Sequence, residues 1–206
     1  MSPQALRAVP TELPAADPAA AALLDLLDHY LPGVTAHMER TAGLTRRVGV
    51  RMGLSEPMIQ LAVRTAWLHD VGKLKVPTWV LEKPGELSTL EWSMLREHAV
   101  LGERLLERTP GLLQLAPLVR STHERWDGSG YPDGLAGTGI PLPSRLVTVC
   151  DAFDAMTQDR IYSPALPLNR AIWQLHKGAG TQFDPDIVDA LCDELADGFD
   201  LLSWQA

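Results

Sequence analysis

Cysteine is nearly absent: Cys150 and Cys192 are the only two in 206 residues. That excludes a disulfide-stapled scaffold and any Cys-x-x-Cys metal site, and it suits a reducing cytoplasm, the address expected by default. Positive charge is also short, with 18 Lys and Arg against 26 Asp and Glu, a formal net charge of −8. Such a balance argues against nucleic acid or an anionic membrane surface as partner, because neither is attracted to it. No apolar run approaches the length of a membrane span. The first residues, "MSPQALRAVPTELPAADPAAAA", lack the basic start and apolar block of a secretory signal. Residues 1–20 are expected to be a disordered Pro/Ala-rich arm.

Period-two alternation is missing as well, so nothing insists on a sheet. The length suits one domain, expected over residues 21–206. Residues 34, 37, 41, 44 and 48 form a helical stripe. Ser55, Glu56 and Pro57 open a second helix through "MIQLAVRTAWLHD", apolar enough to be central. Ser88 and Glu91 have capping-box spacing, and the helix they begin is expected to carry Trp92, Leu95, His98, Gly102 and Leu105 on one side. Further helices are expected from about Gly111 to His123, after Pro143, up to Gly178, and from an Asp184 cap onward. The expected fold class is therefore all-α, a single helical bundle.

His69 and Asp70 follow a strongly apolar segment, where a carboxylate beside an imidazole is costly unless something pairs with both. A divalent metal satisfies that need, Gly72 lets the chain turn away, and Lys73 adds a cation. His37, His98, His123 and Asp151 each stand on or beside an apolar face, where bundles build interior metal sites. Any one of these histidines alone reads more readily as a hydrogen-bonded core residue than as a ligand. Four of the six histidines with two acids point to a metal, while His29 and His176 read as surface residues. Nitrogen and carboxylate donors without thiolates favour Fe, Mn or Zn.

The segments "LHDVGKLKVP" (68–77), "KPGEL" (83–87), "MLREHAVLGERLL" (94–106), "HERWDGSGYPDGLAGTGIPLPSRL" (123–146), "VCDAFDAMTQDRIY" (149–162) and "FDP" (183–185) share an order and spacing. In these the chain resembles the HD-GYP phosphodiesterases, a branch of the HD-domain metal-dependent phosphohydrolases. The resemblance implies a bacterial signal-transduction hydrolase, an HD-domain bundle with a Gly/Pro-rich loop over a central site. The substrate it implies is cyclic di-GMP, cleaved to linear pGpG or GMP by metal-activated hydroxide. It implies two divalent ions, Fe or Mn. His37, His69, Asp70 and Asp151 would hold one, and Asp70 would bridge to a second held by His98 and His123. Asp70 and Lys73 would be catalytic, Lys73 and Arg160 would bind substrate, and diguanylate cyclase domains become candidate protein partners.

The chain departs from that family at Thr122, where members carry a second histidine before His123; the second ion is expected to be weakened. Gly33 replaces a glutamate that helps some members hold a third ion, and Ser163 replaces an arginine after "RIY". Two alternatives follow: a weakened or inactive module that binds nucleotide or protein, or an HD phosphohydrolase acting on another nucleotide. In the loop motif Asp127, Gly128, Gly130, Tyr131 and Pro132, alternating free and fixed backbone angles predict a compact path. Asp127 and Asp133 are expected in Asx turns, with Tyr131 covering an apolar edge.

Overall fold

The computed structural model describes residues 18–159 and 164–198. The first helix, α1 (Pro18–Tyr30), begins ahead of the domain start expected at residue 21, with Ala20 already buried. The rest of the expected arm, Arg160 and Ser163 lie outside the described residues.

Two helices divide the core. α3 (Glu56–Leu68) buries Ile59, Ala62, Val63, Ala66, Trp67 and Leu68, which leaves little of its last two turns to solvent. A helix apolar on nearly all sides belongs in the interior. It packs along α2 (Val34–Arg51), whose buried residues are Met38, Thr41, Ala42, Thr45, Val48 and Gly49. The buried face of α2 is therefore rotated from the expected stripe: Val34 and Leu44 are only half-buried, and His37 lies at the border. On one side of this pair Leu24 and Leu27 of α1 meet Leu106, Leu115 and Val119. On the other side Leu146 and Phe153 meet Leu175, Ile187 and Leu191. Each such buried leucine stabilises the fold by roughly 1.5–3 kcal/mol relative to exposure.

The remaining helices are α4 (Thr78–Leu81), α5 (Thr89–Arg96), α6 (His98–Glu107), α7 (Ala116–Arg120), α8 (Leu142–Thr157), α9 (Leu168–Gly178) and α10 (Pro185–Gly198). The capping box forms as expected: Ser88 Oγ accepts from the Glu91 amide at 3.4 Å, and the Glu91 carboxylate accepts from the Ser88 amide at 2.6 Å. The long helix expected after it is instead two, α5 and α6, with Glu97 at the junction. There the Leu95 carbonyl accepts from His98 Nδ1 at 2.6 Å, a side-chain bond beside the junction. The helix expected over 111–123 is likewise composite. Gly111 has φ 84°, residues 113–115 and 121–123 are 3₁₀ turns, and only α7 between them is α-helical.

α8 starts at Leu142 with Pro143 in its first turn, where a missing N–H costs nothing. Asp184 caps α10, its Oδ1 accepting from the Asp186 amide at 3.1 Å. Among the described residues there is no strand, only isolated bridges at Asp127–Ala136 and Ala179–Phe183. No described helix is long and apolar enough to cross a membrane.

Candidate metal centre

α3 ends by placing His69 at its C-cap and Asp70 one residue beyond, both buried. The Ala66 carbonyl accepts from His69 Nδ1 at 2.7 Å, which fixes the ring and leaves Nε2 as the free lone pair. His98, at the start of α6, is oriented in the same way by Leu95. Asp70 stands between them, Oδ2 3.6 Å from His69 Nε2 and Oδ1 3.5 Å from His98 Nε2. His37 joins from α2 and Asp151 from α8, with His37 Nε2 3.0 Å from Asp151 Oδ1 and His69 Nε2 3.9 Å from that same oxygen. His123 faces His98 with the two Nε2 atoms 2.8 Å apart.

Six of the residues singled out in the sequence, from five segments, thus converge. Two triads have donor atoms within 4.8 Å of one another, His37–His69–Asp70 and Asp70–His98–His123, and Asp70 belongs to both. The donor set suits divalent ions. The Nε2 atoms of His98 and His123, 2.8 Å apart, are close enough for both to reach one ion at the usual metal–nitrogen distance of about 2.0–2.1 Å. Lys73 extends along the same cleft and donates to Asp70 Oδ2 at 2.5 Å. The cleft has a volume of about 350 Å³ and is also lined by Arg40 and Gly33.

The charge states fit metal uptake. Burial raises the Asp70 carboxyl, but Lys73 and the neighbouring histidines outweigh it and hold it well below the ordinary range. Burial, reinforced by His98, pushes His123 down to about 3, and burial also lowers His98, so both offer neutral nitrogen. His37 behaves oppositely. Burial disfavours its charge, yet its hydrogen bonds to Asp151 and Asp154 prevail and raise it from 6.5 to about 9. An ion entering there displaces that proton, so metal uptake is expected to release protons near neutral pH and to tighten as pH rises from 6.5 toward 9. Titration with a pH indicator checks this; uptake independent of pH over that window would contradict it.

Sequence reasoning missed Asp154. Its buried carboxylate accepts from His37 Nδ1 at 2.6 Å and from Arg40 Nε at 2.7 Å and Nη2 at 3.0 Å, which aims His37 Nε2 into the site. The signal was present as two matched spacings: Asp151 and Asp154 lie three apart on α8, as do His37 and Arg40 on α2.

The loop after His123 departs from its reading at two points. Tyr131 does not cover an apolar edge; its ring stacks on His123, centroids 5.2 Å apart and planes within 6°. The tether is short, since the Tyr131 amide also donates to the His123 carbonyl at 3.2 Å. Asp133 forms no Asx turn and instead pairs bidentately with Arg120 at 2.6 and 2.7 Å, a charged fork outcompeting a local backbone bond. Asp127 does form the expected turn, accepting from the Ser129 amide at 2.9 Å. Buried Glu124 closes the loop by accepting from the amides of Asp133 and Leu135 at 2.7 and 3.1 Å. Gly130 is needed for approach: a Cβ there would stand 2.4 Å from the Arg125 nitrogen. Thr122 is buried, and its hydroxyl is committed to the Val119 carbonyl at 2.9 Å.

These residues and their arrangement can be set beside known proteins. A family model described as HD domain matches residues 21–187. The chain belongs to the HD-domain family. It is 40% identical over 161 residues to the cyclic di-GMP phosphodiesterase response regulator RpfG of Xanthomonas campestris pv. campestris, covering 77% of this chain and 43% of that protein. It is 34% identical over 166 residues to the 3'3'-cGAMP-specific phosphodiesterase 3 of Vibrio cholerae, covering 81% of this chain and 36% of that protein. The chain thus spans less than half the length of these curated relatives. The HD domain's fold recurs in Bd1817, an HDG"Y"P protein from Bdellovibrio bacteriovorus, with a TM-score of 0.65 at 17% identity, over 86% of this chain and 61% of that one.

Proposed function

We propose that this HD domain is a metal-dependent phosphodiesterase that hydrolyses cyclic di-GMP to linear pGpG or GMP. The observation that carries the reading is the pair of ligand triads sharing buried Asp70, with Lys73 beside them on an open cleft. His37, His69, Asp70 and Asp151 would hold one ion, and Asp70, His98 and His123 a second, with Fe or Mn suited to these donors. Bound there, the ions supply Lewis acidity toward water and phosphate oxygen.

The chain's own residues supply the rest. Lys73, which donates to Asp70, would place its ammonium against the scissile phosphate, where negative charge grows during displacement. Asp154 keeps His37 aimed inward, and Tyr131 braces His123 from the loop side. Arg160 is assigned to the nucleotide, and diguanylate cyclase domains are assigned to the loop surface as partners.

Thr122 favours a second reading, a domain whose second ion binds weakly and whose turnover is low. No imidazole stands at that position, and the hydroxyl present is spent on its own turn. Restoring the ligand decides between the two. Thr122→His is expected to raise both the affinity for the second ion and cyclic di-GMP turnover by at least about ten-fold, the lower range for changes around a metal ligand. A variant with higher metal content and no turnover would leave the binding module as the better reading.

A further inference from the structure

Arg96 stands apart from the other arginines around the centre. Arg40 is engaged by Asp154, Arg120 by Glu103 and Asp133, Arg125 by Ser129 and Asp127, and Arg145 by Asp184. Among the described residues the contacts of the Arg96 guanidinium are aromatic: its central carbon lies 5.9 Å from the Trp92 ring centroid and 5.3 Å from that of Tyr131. Trp92 lies one turn earlier on α5, and Tyr131 is the ring that stacks on His123. Aromatic contact engages the face of a guanidinium and leaves its in-plane N–H donors free. Those donors form a fork that matches two oxygens of a phosphate.

The position of Arg96 says which phosphate. It rims a second cavity, of about 300 Å³, whose lining also includes Thr122, His123, Tyr131 and Asp151. The cleft that holds Lys73 shares His123 and Asp151 with it. The two cavities therefore meet at the candidate metal centre, with Lys73 and Arg40 on one side and Arg96 and Arg125 on the other. A cyclic dinucleotide carries two phosphodiester charges. With one at the metals and Lys73, the other needs a counter-charge; of the two arginines on the second cavity, Arg125 is held by Ser129 and Asp127, whereas the donors of Arg96 are not engaged among the described residues.

We infer that Arg96 binds the second phosphate of the cyclic dinucleotide, the one that is not cleaved, an inference that rests on the function proposed above. The test compares wild type, Arg96→Ala and Arg96→Lys on cyclic di-GMP and on bis(p-nitrophenyl) phosphate, a diester with a single phosphate. Arg96→Ala is expected to raise KM for cyclic di-GMP roughly 10- to 100-fold, the range of a lost hydrogen bond to a charged group. Its kcat is expected to fall far less, and Arg96→Lys to recover part of the KM. On the single-phosphate diester the loss is expected to be at least ten-fold smaller. If both substrates lose activity in equal proportion, Arg96 only pins the Tyr131 loop, and the inference is overturned. If wild type cleaves the small diester and no cyclic dinucleotide, the proposed function fails first and takes this inference with it.

Discussion

Asp70→Asn is expected to lower kcat/KM for cyclic di-GMP by about 10²- to 10⁴-fold while the helical circular dichroism spectrum persists. The substitution preserves shape and removes one negative charge from a buried position that faces Lys73, His69 and His98. A change around a metal ligand costs about 10- to 100-fold in affinity or activity, and Asp70 belongs to two ligand groups, so the two losses multiply to about 10²- to 10⁴-fold. The loss should exceed that of any other single ligand, because only Asp70 belongs to both triads. Steady-state kinetics on Asp70→Asn beside His98→Ala checks the ranking. A larger loss from His98→Ala would mean that Asp70 is not the shared ligand.

Gly72→Ala should be nearly as damaging, for a reason unrelated to charge. Gly72 does not adopt the left-handed backbone that favours glycine; it is constrained by approach. A Cβ there would lie 1.9 Å from the His98 carbonyl oxygen and 2.5 Å from the Gly102 nitrogen, both backbone atoms of α6. The helix carrying His98 must therefore move away from the turn carrying Asp70 and Lys73. Overpacking of this kind costs about 3 kcal/mol or more, which in a chain of this size lowers Tm by about 6–12 °C. Turnover falls further than stability, since the displaced helix carries a ligand. Gly139→Ala is the control, because a Cβ at Gly139 meets nothing within 4 Å. Thermal melts of both variants decide the point; equal midpoints would show that the close approach is not needed.

How much of this was legible in the sequence depended on how local the cause is. The capping box of Ser88 and Glu91, the first turn at Pro57 and the buried α3 depend on neighbours within a few residues, and all appeared as expected. The convergence of His37, His69, Asp70, His98, His123 and Asp151 was also legible, because polar ligands on apolar faces need a reason to be there. Their arrangement into two triads around one carboxylate depends on how α2, α3, α6 and α8 cross. The junction at Glu97 lies beside the bond from His98 to Leu95, and no spacing rule signals it. Asp154 was missed because the matched spacings on α2 and α8 become meaningful only once those two helices are seen to face each other. Gly72 was noticed and its role misread: the sequence suggested a free backbone, and the structure shows a close helix contact.

The central claim is that two metal groups share Asp70 and cleave a cyclic dinucleotide. Metal content per chain, measured on the same samples as cyclic di-GMP turnover over a series of Fe or Mn loadings, tests it most directly. Loading is expected to reach two ions per chain, with linear product appearing only as the second ion fills. Bound metal without product across Fe, Mn, Ni and Zn, or full turnover at one ion per chain, would contradict it.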